Sequence, residues 1–164
     1  MGLRPGELEL FAAQLAATPA RWRHLVCHSS EMRVFESIWS DADVNAWVIC
    51  WQEDNDTGWH DHDDSSGGIA VVSGRIREER LVIGAEPRVR RLGPGQTVTV
   101  PPTAIHRVLH DGGEPAVTIH AYSPPLIRTG AYAIGDDGEL LREAQDGAEE
   151  LRAEAALQDR KSVV

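Results

Sequence analysis

Cysteine is nearly absent from this chain. Its 164 residues contain two, Cys27 and Cys50, and they form neither a disulfide framework nor a CxxC pair. No run of 18 apolar residues appears, and the opening "MGLRPGELEL" has no signal-peptide core. The expectation is a cytoplasmic protein with reduced thiols and no membrane partner. Basic clusters are missing too: 16 Lys and Arg face 26 Asp and Glu, for a net charge of -10. Arg75, Arg77, Arg80, Arg88, Arg90 and Arg91 are interleaved with Glu78, Glu79 and Glu86, a pattern that reads as solvated strand faces. Nucleic acid and anionic membrane are thereby disfavoured. No helix-turn-helix segment and no internal repeat are present.

What is present divides into three zones within the length of one domain, 1–164. From Glu7 to about His28, apolar residues recur at helical intervals among many Ala and Leu. From about 34 to 132, short apolar runs such as "NAWVICWQ", "GIAVVSGRIREERLVI" and "AVTIHAYSPP" alternate with Gly, Pro, Asp and Asn. Short strands with frequent turn signals predict an all-β sandwich or barrel. After the "GDDGEL" turn, the Glu, Ala, Leu and Arg content of 139–158 predicts an exposed helix with ion pairs.

The segment "GWHDHDDSSGG" places His60 and His62 two residues apart. On a strand, i and i+2 share a face, so the imidazoles converge while Asp61 points away. Two neutral imidazoles on one face begin a metal site, or they are a surface pair; a third ligand decides. His106 supplies a candidate. It lies five positions after Pro101, which itself follows Gly95 by five intervening residues. The His-x-His element closing at Gly74, followed by this Gly–Pro–His element, resembles the paired motifs of the cupin superfamily, antiparallel jelly-roll barrels with a central metal. The implied fold class is all-β, a cupin barrel with N-terminal helices and a C-terminal helical extension. Many cupins carry a glutamate ligand five residues after the second histidine. Gly67 stands there, so the resemblance implies a three-histidine site with open coordination positions.

The stretch "HRVLHDGGEPAVTIHAYSPP", with "NAWVICWQ" eight positions before "HDH", resembles cysteine dioxygenases. That resemblance implies Fe(II) on His60, His62 and His106, and an outer relay of Thr118, His120 and Tyr122. Their i, i+2, i+4 spacing sets the three on one strand face. In it, Tyr122 would hydrogen-bond the reacting groups, His120 would orient Tyr122, and Thr118 would fix the tautomer of His120. Ser123-Pro124 falls at the family's cis peptide bond. The cysteine that crosslinks to the tyrosine in animal enzymes falls on Gly67, which implies the bacterial type without that crosslink. The implied reaction joins a small-molecule thiol and O2 to give a sulfinic acid, in a monomer or small homo-oligomer.

Substrate choice rests on a second region. The family's carboxylate-clamping arginine falls on Phe35 or Glu36, with Arg33 the nearest arginine. A clamp needs a guanidinium in a fixed place. Trp47, Ile49 and Trp51 alternate on one strand face, with Trp59 before the first ligand and Trp39 nearby. Aromatic faces with a carboxylate such as Glu36 suit a quaternary ammonium. The substrate is thus expected to be cysteine-like or a betaine thiol of the ergothioneine kind. A non-catalytic ligand-binding cupin and a different metal-cupin enzyme stand as alternatives.

Overall fold

The computed structural model describes residues 2–146. Helix α1 spans Pro5–Ala16. Its start is set by Pro5 at the first turn, where a missing N–H costs nothing, and by Glu7, whose carboxylate accepts from the Arg4 backbone N–H at 2.9 Å. Two short 3-10 turns, Pro19–Arg21 and Arg23–Leu25, lead out of it.

Eleven strands follow among the described residues: β1 Val34–Ser40, β2 Asn45–Trp51, β3 His60–Asp61, β4 Ser66–Ser73, β5 Ile76–Val82, β6 Ala85–Leu92, β7 Thr97–Val100, β8 His106–His110, β9 Ala116–Ser123, β10 Arg128–Ile134 and β11 Leu140–Asp146. They form two antiparallel sheets, ordered β1-β2-β9-β4-β7 and β11-β10-β3-β8-β5-β6. This is the jelly-roll arrangement expected from the sequence. Gly74, at φ +67, turns β4 into β5; a Cβ there would lie 2.6 Å from the Ala116 Cα, so only glycine fits.

Both faces of the first sheet are buried, for different reasons. Val48, Cys50, Val117, Ile119 and Ala121 point outward and pack under Leu8, Ala12 and Leu15 of α1. Ile49, Trp51, Ile69, Val71, Val98 and Val100 point inward, against Ile76 and Val108 of the second sheet. Strand β9 is buried along its entire length. Its apolar alternate residues serve the outer core, which frees Thr118, His120 and Tyr122 to face the interior.

Two expectations are corrected here. Residues 140–146 form β11, paired with β10 in register from Leu140 opposite Ile134 to Asp146 opposite Arg128, and not the first turns of a helix. Strand pairing has overridden helical propensity; the rest of the expected 139–158 helix lies outside the described residues. Strand β5 is likewise no solvated face, since Glu78 and Glu79 are buried. Glu79 is held by Arg77 at 2.9 Å and by Arg107 at 2.6 Å.

Candidate metal centre

Two paired strands, β3 and β8, bring three histidines to one point inside the barrel. His60 is on β3, His62 just beyond it, and His106 opens β8, with His60 and His106 directly paired across the strands. All three are buried. The His62 Nε2 atom lies 3.2 Å from that of His60 and 3.4 Å from that of His106, and one ligand atom from each residue falls within 4.8 Å of the others.

Neighbouring acceptors set the tautomers. His60 Nδ1 is 3.0 Å from the Gly58 carbonyl oxygen, and His106 Nδ1 is 3.2 Å from Glu78 Oε1. Both partners accept only, so both Nδ1 atoms donate, leaving Nε2 lone pairs facing the common point. Lone pairs this close repel unless a cation lies between them. Two bonds of about 2.1 Å at roughly 100° separate their nitrogens by about 3.2 Å. The donor set therefore fits a divalent metal ion, which His60, His62 and His106 could hold.

Glu78 is the functional residue that sequence reasoning misplaced. It is 1 % exposed and also accepts from Arg80 Nε at 2.6 Å. Ile76, Glu78 and Arg80 alternate along β5. That spacing puts Glu78 on the same side as a core isoleucine, a signal present in "IREER" but masked by charges on both faces.

Along β9, the Tyr122 hydroxyl and His120 Nδ1 are 3.3 Å apart. The Tyr122 ring lies 4.8 Å from that of His62, and the Trp47 ring packs edge-on 5.7 Å from it. Thr118 Oγ1 accepts from Trp51 Nε1 at 2.9 Å, which fixes the indole. Gly67, opposite Tyr122 on β4, leaves room beside the site: a Cβ there would meet the His62 ring and Tyr122 Cε1, each at 3.4 Å. The Ser123-Pro124 bond is cis. A concavity of about 140 Å³, whose lining includes Asp63, Ser65, Pro124 and Arg128, reaches His62.

The substrate-region residues separate into two groups. Phe35, Trp47, Ile49 and Trp51 face the interior. Arg33 joins them, 1 % exposed, with its guanidinium 5.0 Å from the centre of the Trp51 ring. The Trp51 ring is in turn 6.1 Å from that of His120. The other group lies elsewhere. Glu36 is exposed and pairs with Val48, which points to the outer core. Trp39 packs on Phe11 at 5.5 Å, under α1. Trp59 is covered by Arg107 at 5.1 Å; next to inward-facing His60, it takes the opposite face of the strand. The expected cage of tryptophans around Glu36 is not assembled, because strand alternation sends its members to different faces.

Comparison with known proteins agrees with this architecture. The family described as Cysteine dioxygenase type I matches residues 7–134. Cysteine dioxygenase type 1 of Danio rerio is 32% identical over 92 residues, 50% of this chain and 46% of that protein; the match thus spans about half the length of that relative. The Rattus norvegicus protein of the same description is 24% identical over 140 residues, 77% of this chain and 68% of that one. Among solved structures, a Thermus thermophilus protein has a TM-score of 0.54 at 17% identity, covering 63% of this chain and 93% of its own. A Klebsiella pneumoniae protein with a double-stranded β-helix domain has a TM-score of 0.55 at 19% identity, covering 62% and 80%. No helix among the described residues is long and apolar enough to cross a membrane. By its sequence match, its barrel and its three-histidine group, the chain belongs to the cysteine dioxygenase type I family of cupins.

Proposed function

We propose that the chain is a mononuclear non-haem Fe(II) thiol dioxygenase, converting a small carboxylate-bearing thiol and O2 to the corresponding sulfinic acid. The balance is RSH + O2 → RSO2H. The observation that carries this reading is the group of three buried imidazoles, with the buried Arg33 guanidinium inside the same barrel, over the Trp51 ring. Imidazole suits several metals; the resemblance to cysteine dioxygenases supports iron among them. His60, His62 and His106 would hold the Fe(II), which would supply coordination for the thiol and O2 and a route for electrons between them.

The chain's own residues set the charge and geometry. Three neutral histidines add no negative charge, and the Glu78 carboxylate is paired with Arg80, so the interior favours an anionic ligand. Arg33, over the Trp51 ring, would give a forked pair of donors to a carboxylate, with the sulfur end of the same small molecule directed to the histidines. The Tyr122 hydroxyl, beside His120, is placed to donate a hydrogen bond to the reacting sulfur or oxygen and to hold its proton there. Aromatic packing by Trp47 and Phe35 excludes water. With Glu36, Trp39 and Trp59 outside the cavity and the Trp51 face occupied by a cation, a cysteine-like thiol is favoured over a betaine thiol.

The test is oxygen uptake by the Fe(II)-loaded protein against cysteine, 3-mercaptopropionate, cysteamine, mercaptosuccinate and ergothioneine, with mass spectrometry for a gain of two oxygens. Turnover of the carboxylate-bearing small thiols and little with cysteamine is the expected result. Selective turnover of ergothioneine would move the substrate reading to the betaine class. No uptake with any thiol, despite bound iron, would identify a non-catalytic binding cupin.

A further inference from the structure

The strand that carries His60 and leads into His62 is unusually short. β3 comprises His60 and Asp61 alone, registered to β10 at two positions and to β8 at one. So little backbone pairing gives weak control over the direction in which His60 and His62 leave the chain. Asp61 lies between them with its side chain on the opposite face of the strand, and that carboxylate is held from several directions at once.

Arg142 of β11 donates to Asp61 from Nε at 2.9 Å and from Nη2 at 3.0 Å, a forked arrangement. The Tyr132 hydroxyl donates at 2.5 Å, the Gly130 N–H at 3.1 Å and the Asp63 N–H at 3.0 Å. The Asp63 contact ties the strand to the turn that follows His62. Gly130 is required for the arrangement: a Cβ there would lie 2.2 Å from Arg142 Nε, so the guanidinium crosses the bare Cα of β10 to reach the carboxylate. Tyr132 and Arg142 are direct cross-strand partners, which sets both donors over the same point of β3. Arg142 belongs to a segment beyond residues 7–134, the stretch matched by the family.

We infer that Arg142, acting through Asp61 with Tyr132, is a positioning residue for the metal centre: β11 fastens the back of β3 so that the imidazoles on its front keep their facial geometry. Because His60 and His62 flank Asp61, any rotation of the Asp61 peptide moves both rings together, and a fork resists rotation better than a single bond does. This rests on the reading of His60, His62 and His106 as metal ligands.

Co(II) is the probe, since both its affinity and its visible d–d spectrum report ligand geometry without turnover. The full chain with Arg142→Met should bind Co(II) about 10- to 100-fold more weakly than the unaltered protein in chelator competition, with a changed d–d spectrum. Arg142→Lys keeps the charge but loses the fork, and should recover part of the affinity. Tyr132→Phe removes one donor while keeping the ring, and carries the test should Arg142→Met fail to fold. Arg91→Met, which breaks the exposed pair with Asp111, is the control and should leave Co(II) affinity unchanged. Equal Co(II) affinity and identical spectra in Arg142→Met and Tyr132→Phe, whatever the change in melting temperature, would overturn the inference. Failure of the unaltered protein to bind Co(II) would instead overturn the metal-site reading beneath it.

Discussion

The guanidinium of Arg33 lies over the indole of Trp51, and Trp51 is itself pinned by its Nε1–H bond to Thr118 on the neighbouring strand. A buried arginine so constrained is preorganised: little rotamer freedom remains to be lost when an anion arrives. Removing it deletes a charge-assisted fork in a site of low dielectric. Arg33→Met should therefore lower kcat/KM for carboxylate-bearing thiols on the order of 10²-fold. Turnover of cysteamine, which has no carboxylate, should hardly change. Steady-state oxygen uptake with paired substrates reads the difference, and an equal loss on both would mean that Arg33 only packs.

Glu78 makes a separable prediction. Its hydrogen bond to His106 Nδ1 fixes the ring orientation, and its charge is felt through the imidazole at the metal position. Glu78→Ala should weaken metal binding about 10- to 100-fold. Glu78→Gln retains an acceptor oxygen and should recover much of that affinity, while the lost negative charge raises the Fe(III)/Fe(II) potential. Chelator competition and spectroelectrochemistry on the two variants distinguish the hydrogen bond from the charge.

These residues also mark what the sequence made legible. On β9, "AVTIHAYS" alternates so regularly that the faces of Thr118, His120 and Tyr122 could be assigned from spacing, and His60 and His62 followed the same rule. Arg33 was legible as a residue but not as a position. It is adjacent to the start of β1, and only closure of β1 against β2 brings it over Trp51. Glu78 was hidden because both faces of β5 carry charge, and which face is internal depends on how the second sheet wraps. "LLREAQD" has helical composition, and its fate was decided by pairing with β10 and by the Asp61–Arg142 contact, both nonlocal. Short-range periodicity thus assigned the inward face of β9, whereas long-range pairing decided what surrounds it.

Gly67 makes a prediction about coordination number. A Cβ at Gly67 would touch the His62 ring and Tyr122 at 3.4 Å, so a side chain built there starts beside the metal position, on a strand directly paired with that of Tyr122. Gly67→Glu should bring a carboxylate to the metal position. A fourth, anionic ligand should raise metal affinity on the order of 10-fold and fill a position that the reaction needs open, cutting turnover sharply. Gly67→Ala is the control: its methyl meets neighbours at 3.4 Å, ordinary contact, and should leave metal binding intact. Tighter binding with undiminished turnover in the glutamate variant would show that the open position is not used.

The last prediction concerns pH and the helix that caps the outer core. The Glu9 carboxylate accepts hydrogen bonds from the hydroxyls of Thr97 and Thr99 on β7, and these hold its pKa below the usual carboxylate value. A carboxylate with a depressed folded-state pKa contributes stability that is present above its unfolded pKa of about 4.3 and is lost as pH falls through the lower, folded value. Glu9→Gln should thus be less stable than the unaltered protein at pH 7, by about 1 kcal/mol after allowance for partial exposure, or a few degrees in Tm. The gap should narrow as the pH falls from the unfolded value through the lower, folded one, where Glu9 of the folded unaltered protein also becomes neutral. Thermal melts of both proteins across pH 3 to 7 test this. A gap that persists undiminished at the acid end would show that shape, and not charge, makes Glu9 the tie between α1 and the barrel.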